Sequence, residues 1–232
     1  MQVSDWAEAA TAVGTLVLAV ATFSSVRSGN RQGRNAERAL NAGLRPVLFS
    51  SRPHETTQKI RWGDDHWAML ETGHAVLENV DGVIYMAISL LNVGAGIAEL
   101  QGWRVDTSRT IDPHSSFEEM QRTNSQIRPD PSAFRAQTRD LYSPPGELSF
   151  WQAAIRTPDD PDRARIQEAL SGVGPILIDL LYSDQEGGQR TISRFSISRL
   201  NAESDAWFPS VVRHWYLDQD AHRPRRRWRL AD

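Results

Sequence analysis

The sequence contains no cysteine. This absence excludes disulfide scaffolds, cysteine nucleophiles, CxxC redox centres and thiolate zinc or iron–sulfur sites, and it is compatible with a reducing compartment. Lysine is nearly absent too, since Lys59 is the single lysine among 26 basic residues. The rest of the composition, with 40% hydrophobic and 24% charged residues, is typical of a globular protein and excludes collagen-like, mainly disordered and polytopic membrane chains.

Charge is distributed unevenly along the chain, although the net charge is only −3. Residues 1–26 carry −2, residues 27–46 carry +4, residues 47–212 carry −8 and residues 213–232 carry +3. An acidic body is therefore flanked by two basic ends. A protein that coats nucleic acid carries positive charge on its body, so the charge pattern disfavours that class of function.

An uncharged stretch of 18 residues, Ala9–Val26, predicts a single-pass transmembrane helix over residues 6–27. As a helix these 18 residues span about 27 Å, against a hydrocarbon core of roughly 30 Å. Arginines follow the stretch and none precedes it, so the positive-inside rule predicts an external N-terminus and a cytoplasmic body. We therefore expect a protein of the inner (plasma) membrane whose first partner is the lipid bilayer.

Two other interpretations of this stretch compete with the transmembrane helix. A cleaved signal peptide has a positive first region, whereas Asp5 and Glu8 occupy that region here, although Ala19-Val20-Ala21 resembles a cleavage site. A buried helix of a soluble domain normally has a polar face, and none is evident. Small residues at Thr11, Thr15 and Ala19 share one face and allow a homodimer through the helix, although such spacing also arises by chance.

The region from residue 28 to 44 reads as an Arg-rich juxtamembrane helix that ends at Gly43, before Pro46. The period then changes, and residues 45–217 predict a β-rich domain, an antiparallel β-sandwich-like fold with one or two short helices. A basic tail over residues 218–232 follows. The predicted strands are Val47–Ser50, Lys59–Trp62, Trp67–Glu71, Val83–Val93, Ile97–Asp106, Leu148–Ile155, Ile176–Ser183 and Thr191–Leu200.

Some finer features can be predicted within this domain. The last two predicted strands are joined by a turn at residues 184–188 and form a hairpin, with a bulge near Arg194. Asp160 caps a helix that begins at Pro161, and Ser115 with Glu118 forms a capping box before a second short helix. Residues 107–147 otherwise show little apolar pattern and predict a long excursion from the sheet.

Two short motifs carry a resemblance. They are the step Arg45-Pro46-Val47-Leu48 after the first helix and the turn Asn92–Ala98 after the most apolar strand. Together they resemble a broad group of uncharacterised bacterial single-pass membrane proteins with a juxtamembrane helix and a β-rich soluble domain. The chain departs from that pattern at Ile97, where the group has proline. The resemblance covers residues 6–105 and implies architecture only.

No motif predicts a cofactor or a metal site. Gly94-Ala95-Gly96 lacks the third glycine and the following helix of a dinucleotide loop, and a tight turn in which Asn92 binds local backbone is favoured. The histidines have no i, i+4 pair, and no GxSxG elbow is present. We therefore expect no catalytic residues, no cofactor and no metal.

Two arginine clusters are the candidate binding residues. Arg135 and Arg139 lie four apart, so a helix or a strand would place them on one side, where they could grip a carboxylate or phosphate. Pairing with the acidic body is the alternative. The tail interleaves arginine with one tryptophan, which suits anionic lipid headgroups or a nucleic-acid backbone. Its residues are Arg223, Arg225, Arg226, Arg227, Trp228 and Arg229.

The function expected from the sequence is a membrane-anchored interaction or scaffold module that binds another protein. The alternatives are a membrane-tethered hydrolase or transferase that uses carboxylates from residues 107–147, and anionic lipid or nucleic-acid binding through the basic tail.

Overall fold

The structure, a computed structural model, describes residues 3–53, 56–106, 127–171, 175–199 and 205–220. It divides into two compact units, of which the first ends at Gly43 and the second, here called the β domain, begins at Leu44. The first unit is one continuous helix, α1 (Val3–Gly43). Its large apolar side chains between Val13 and Val26 are all more than half exposed. Within the described part of the chain, no helix is both long and apolar enough to cross a membrane.

The β domain is built mainly of antiparallel strands, which confirms the predicted β-rich class. Its strands are β1 (Leu48–Ser50), β2 (Thr57–Arg61), β3 (Trp67–Glu71), β4 (Ala75–Val80), β5 (Val83–Asn92), β6 (Ala98–Asp106), β7 (Arg135–Ala136), β8 (Tyr142–Ser143), β9 (Leu148–Ile155), β10 (Ile176–Ser183), β11 (Thr191–Arg199) and β12 (Trp207–Tyr216). Its helices are α2 (Arg163–Ser171) and α3 (Leu217–Asp220).

Ten of these strands form one antiparallel sheet in the order β1-β5-β4-β12-β11-β10-β6-β7, with β9 added on β5 and β8 on β6. The sheet curls so far that β9, at one end, contacts β6 and β8 at the other end. Trp103 of β6 and Trp151 of β9 have ring centroids 5.7 Å apart, and the hydroxyls of Ser143 and Ser149 lie 2.6 Å apart. The inner face therefore encloses a single apolar core, to which β5 contributes its fully buried Ile84, Met86, Ile88 and Leu90.

The remaining strands, β2 and β3, form a separate hairpin that packs on the outer face of the large sheet. Ile60, Trp62 and Leu70 of this hairpin make a second apolar cluster with Tyr85 and Ala87 of β5. Because β5 is covered by the core on one face and by the hairpin on the other, its sequence is apolar on both faces, as the sequence predicted for a central strand.

Several detailed predictions are confirmed, and others are incomplete. The β10–β11 hairpin forms, and the register between β11 and β12 shifts after Arg194, where the bulge was predicted. The helix predicted to begin at Pro161 begins instead at Arg163, and the Asp160 carboxylate accepts from the amide of Asp162, so Asp160 closes the turn in front of α2 rather than capping the helix itself. Strands β4 and β12 were not predicted, nor were the two short strands β7 and β8, which fall within the predicted excursion over residues 107–147. The predicted capping box at Ser115 and Glu118 lies outside the described residues.

Candidate functional site

Strands β3 and β4 are neighbours in the chain but do not pair with each other. Only residues 72–74 connect them, a length that normally produces a hairpin. Instead β3 pairs with β2 in the small sheet, while β4 pairs with β5 in the large sheet. Among the described residues, the edge of β3 that faces away from β2 has no ladder partner. The two strands therefore diverge from their connection and leave a space between two strand edges.

The backbone of β4 directs hydrogen-bonding groups into this space. Asp81 and Gly82, with φ of 49° and 81°, form the two-residue turn to β5, so Val80 and Val83 are a hydrogen-bonded pair. Hydrogen-bonded and non-hydrogen-bonded pairs alternate along an antiparallel ladder, so the N–H and C=O groups of Leu77 and Asn79 point away from β5. On that side the described residues provide β4 with one partner, Trp207, opposite Ala75 at the start of the strand.

The backbone of β3 also directs hydrogen-bonding groups into this space. The amide of Trp62 donates to the carbonyl of His66 at 2.8 Å, and the amide of Thr72 donates to that of Thr56 at 3.2 Å. These bonds determine which residue pairs of the small ladder are hydrogen-bonded. The N–H and C=O groups of residues 68 and 70 therefore point toward β2. The N–H and C=O groups of Trp67 and Met69 consequently point away from β2.

The space between the two edges is a groove of about 800 Å³, here called the β4 groove. Trp67 and Met69, each more than half exposed, give one wall an apolar surface, and Leu170 of α2 and Trp207 of β12 lie at the other. Three acidic residues also line it, namely Glu71, Glu78 and Asp205. The basic Arg199 lines the groove too, where its Nη2 donates to the carbonyl of Leu170 at 2.8 Å and its guanidinium lies 4.6 Å from the ring centroid of Trp207.

The connection between β3 and β4 is held in a fixed conformation. Gly73 has φ of 79°, a region that favours glycine, and its amide donates to the Ser51 hydroxyl at 2.8 Å. That hydroxyl is 2.6 Å from the hydroxyl of Ser89 in β5. A Cβ atom on Gly73 would lie 2.8 Å from the ring of Pro53. These contacts keep β3 turned away from β4.

The predicted pair Arg135 and Arg139 lies in a different place. Both line a cavity of about 440 Å³, here called the arginine cavity, together with Arg156, Trp103 and Gln152. The two arginines therefore line one cavity, although β7 ends at Ala136 and neither a helix nor a strand runs from one to the other. Arg135, however, is already bound by the carboxylates of Asp160 and Asp162.

Arg135 donates to both oxygens of Asp160, its Nη2 to Oδ1 at 2.7 Å, and also to Asp162 at 2.6 Å. Its guanidinium lies 5.2 Å from the ring centroid of Trp103. The carboxylates raise the pKa of Arg135 well above its usual range, with burial opposing them. For this residue the alternative interpretation, pairing with the acidic body, is confirmed. Arg139 forms no ion pair with the described residues.

A hydrogen-bonded set lies between the groove and the cavity. Asp64 accepts from Arg156 Nε and from the Tyr85 hydroxyl, each at 2.8 Å. The bond from Arg156, with that from Tyr85, outweighs burial and lowers the pKa of Asp64 to about 2. The ring of His66 stacks on Tyr85 with centroids 3.9 Å apart, and its Nε2 lies 2.6 Å from Glu78 Oε1. This set attaches the hairpin to the large sheet.

A serine–histidine contact exists but is enclosed. The Ser193 hydroxyl is 2.6 Å from His214 Nδ1, yet Ser193 is fully buried. A nucleophile must reach its substrate, so this pair does not provide an acyl-transfer site. The carboxylates of the hydrolase or transferase alternative were expected within residues 107–147, of which residues 107–126 lie outside the described residues, as do the tail residues Arg223 to Arg229.

Sequence reasoning missed the β4 groove because it missed β4. The available signal was Asp81-Gly82, a dipeptide typical of a two-residue hairpin turn, which lies directly before the most apolar strand, β5. It would have placed a strand before residue 81.

No protein-family model, curated protein or solved structure matches this chain.

Proposed function

We propose that the β domain is an interaction module that binds an extended, basic peptide as an added strand in the β4 groove. The observation that carries the proposal is the divergence of β3 and β4, which leaves open edges on both sides of one groove. Strand addition satisfies such edges with main-chain hydrogen bonds, while pockets for alternate side chains provide specificity. The sequence predicted an interaction module, and the groove adds the kind of partner that it would bind.

The backbone groups of Leu77 and Asn79 are the expected partners of the peptide main chain. They lie on an edge that is otherwise a liability, because unpaired strand edges are templates for pairing with other chains. The exposed Trp67 and Met69 offer apolar contact to one face of the peptide.

The charge of the groove determines the peptide's composition. Glu71 and Asp205 are exposed and, in the described structure, neither is paired with an arginine or a lysine. Among the described residues, Glu78 is paired with His66. Opposite charges across an interface favour association and suppress wrong partners. The bound segment is therefore expected to alternate apolar residues with arginine or lysine.

The test is selection from a phage-displayed library of random linear peptides on the full chain, followed by measurement of Kd for the enriched peptides. The decisive variant is Asn79→Pro. The Asn79 amide is not used in the β4–β5 ladder, so proline at this exposed edge leaves the fold intact and removes one donor to the peptide. We expect affinity to fall about tenfold or more.

The matched control is Asn79→Ala, which alters the same side chain and retains the amide. It should bind as the unmodified chain does. Enrichment of no sequence, or equal binding by the proline and alanine variants, would contradict strand addition at β4.

We also propose that α1 anchors the chain at a membrane, with the N-terminus outside and the β domain cytoplasmic. The sequence supports this, because Ala9–Val26 contains no charge and Arg27 to Arg38 follow it. The exposure of Leu16, Leu18 and Phe23, at 65, 68 and 67%, is consistent with an apolar environment around the helix. Whether the basic tail then contacts anionic headgroups remains a prediction.

Fractionation of cells that express the full chain tests the anchor. The protein should stay in the membrane pellet after alkaline carbonate washing, and protease added to inverted vesicles should digest the β domain. A carbonate-soluble chain, or a dimer in solution that shields α1 without lipid, would contradict anchoring.

A further inference from the structure

We propose that the strand added in the β4 groove is residues 225–230 of a second copy of this chain. This inference rests on the proposed function and names its partner, the chain itself. Residues 225–230, here called the tail segment, lie outside the described residues. The pattern of the tail segment, the two faces of the groove and the length of chain that leads to the segment support the proposal.

The tail segment alternates with a period of two. Positions 225, 227 and 229 are all arginine, whereas Trp228 and Leu230 hold positions of the opposite parity, together with Arg226. Successive side chains of a strand point to opposite faces. As an added strand, the segment would therefore have one face of arginines and one face that carries Trp228 and Leu230.

The β4 groove has an apolar side and an acidic side. Leu77 of β4 belongs to the apolar core, in which Trp207 is buried and against which Leu170 packs, and all three residues line the groove. Glu78 is the next residue, so it points to the opposite face of β4, where its Oε1 lies 2.6 Å from His66 Nε2. A strand beside β4 places its own side chains on these same two faces.

The two faces of the tail segment match the two sides of the groove. With Trp228 and Leu230 on the side of Leu77, the arginines at positions 225, 227 and 229 lie on the side of Glu78. Three carboxylates line the groove against one guanidinium, that of Arg199, so the charge of the groove is complementary to that of the segment.

The length of the chain favours a second copy as the donor of the segment. Strand β12 leaves the groove at Trp207 and reaches Tyr216 after about 30 Å. α3 follows at that far end, where Asp218 pairs with Arg45. Leu77 lies about 7 Å beyond Trp207 in the other direction, because β4 is antiparallel to β12. Residues 221–228 span at most about 29 Å when fully extended, too little to return Trp228 to the groove of its own copy.

The first test measures the fluorescence anisotropy of a labelled synthetic peptide of residues 221–232. Its receptor is the full chain in a neutral detergent, with Trp228→Ala so that the receptor's own tail competes less for the groove. We expect the peptide to bind, and Asn79→Pro in the receptor to weaken binding by about tenfold or more, since one main-chain donor is lost.

The control peptide carries Trp228→Arg together with Arg229→Trp. This exchange retains composition and net charge but places tryptophan and Leu230 on opposite faces of a strand. It should bind the same receptor at least about tenfold more weakly, because the tryptophan no longer reaches the apolar side of the groove. The comparison uses one receptor, so it decides the question even if the proline variant does not fold.

The second test is sedimentation equilibrium of the full chain in the same detergent. The same exchange of residues 228 and 229, made in the chain itself, should weaken self-association by about tenfold or more. Because α1 is identical in the two proteins, association through that helix does not contribute to the difference.

The proposal is overturned if the peptide does not bind, if the exchanged peptide binds as tightly, or if the exchange leaves self-association unchanged. A peptide that binds vesicles of anionic lipid but not the chain would also overturn it and would assign the tail to the membrane surface. If library peptides bind and lose affinity with Asn79→Pro while the tail peptide does not bind, strand addition at β4 stands and the partner named here is wrong.

Discussion

The side chain of Asn92 donates to the carbonyl of Gly96 at 2.7 Å and closes the turn between β5 and β6. The same amide nitrogen donates to Ser143 at 2.9 Å, and Oδ1 accepts from the amides of Gly94 and Val47 at 3.0 and 3.2 Å. Asn92 is fully buried. One side chain thus uses its full hydrogen-bonding capacity on four backbone groups, two in its own turn and two in the separate segments around Val47 and Ser143.

The first prediction is that Asn92→Asp destabilises the β domain by about 3 kcal/mol or more. The substitution keeps the shape but replaces both N–H donors by an acceptor, which leaves two carbonyls unsatisfied and adds a buried charge. Urea unfolding of the full chain measures the change. Asn79→Asp, at an exposed strand position, is the control and should cost less than about 0.5 kcal/mol. Equal midpoints for the two variants would refute the role of Asn92.

This turn illustrates what the sequence could predict. Local patterns predicted it, since an asparagine between an apolar strand and two glycines indicates a turn in which the side chain binds nearby backbone. Apolar runs between turn residues likewise predicted strands over Val83–Val93 and Trp67–Glu71, and the structure has strands at Val83–Asn92 and Trp67–Glu71. Such features depend on residues close together in the chain, where period and turn chemistry are informative.

The rest depends on contacts distant in sequence. β12 contains Pro209 and a register shift, so its alternation is broken, and proline is tolerated because β12 has little pairing on the side of β4. Arg135 and Arg139 were found from spacing, but the carboxylates that engage Arg135 come from residues 160 and 162. The β4 groove arises because two consecutive strands join different sheets, which no local pattern encodes.

The second prediction concerns Gly73. Gly73→Ala should destabilise the protein by more than Gly187→Ala, although both glycines have nearly the same φ, 79° and 76°. A Cβ atom on Gly187 meets nothing within 4 Å, so that variant costs only the left-handed conformation, about 1 kcal/mol. At Gly73 the Cβ atom also meets Pro53. Thermal unfolding of both variants isolates the steric part, and identical midpoints would show that the connection adapts freely.

The third prediction is a loss of stability below neutral pH caused by His214. Burial lowers the pKa of His214, whose Nδ1 contacts Ser193 and whose Nε2 is buried with no hydrogen-bond partner in the described structure. The unfolded chain protonates this histidine near pH 6.5, whereas the folded chain resists protonation. The unfolded state then binds more protons, so the free energy of unfolding decreases as pH falls through 6.5, by at most about 1.4 kcal/mol per pH unit.

Urea unfolding between pH 8 and pH 5 tests this, with His214→Gln as the variant. The slope of stability against pH should be shallower in the glutamine variant by the contribution of one proton. Parallel curves for the two proteins would mean that His214 is not the titrating group.

The last prediction concerns the buried pair of Asp179 and Arg194. Arg194 Nε donates to Oδ1 at 2.6 Å and Nη2 to Oδ2 at 2.8 Å, with Asp179 fully buried and Arg194 2% exposed. Arg194 also donates to Asp106 Oδ2 at 3.1 Å, and Arg104 Nη1 lies 3.9 Å from Asp179 Oδ2. Removing Arg194 leaves the Asp179 charge buried with that more distant cation beside it, so Arg194→Met should cost about 3–5 kcal/mol at neutral pH. The double variant with Asp179→Leu should recover most of that loss, because apolar side chains of similar volume replace the pair.

The pH dependence distinguishes a buried charge from a simple packing defect. Burial raises the pKa of the Asp179 carboxyl, and Arg194 opposes that rise. Without Arg194 the folded state should bind a proton at Asp179 more readily than the unfolded state does. The free energy of unfolding of Arg194→Met, relative to that of the unmodified chain, should therefore increase as the pH is lowered from 7 to 5. A deficit that is constant with pH, together with additive single-variant effects in the double variant, would show that Arg194 acts only through packing.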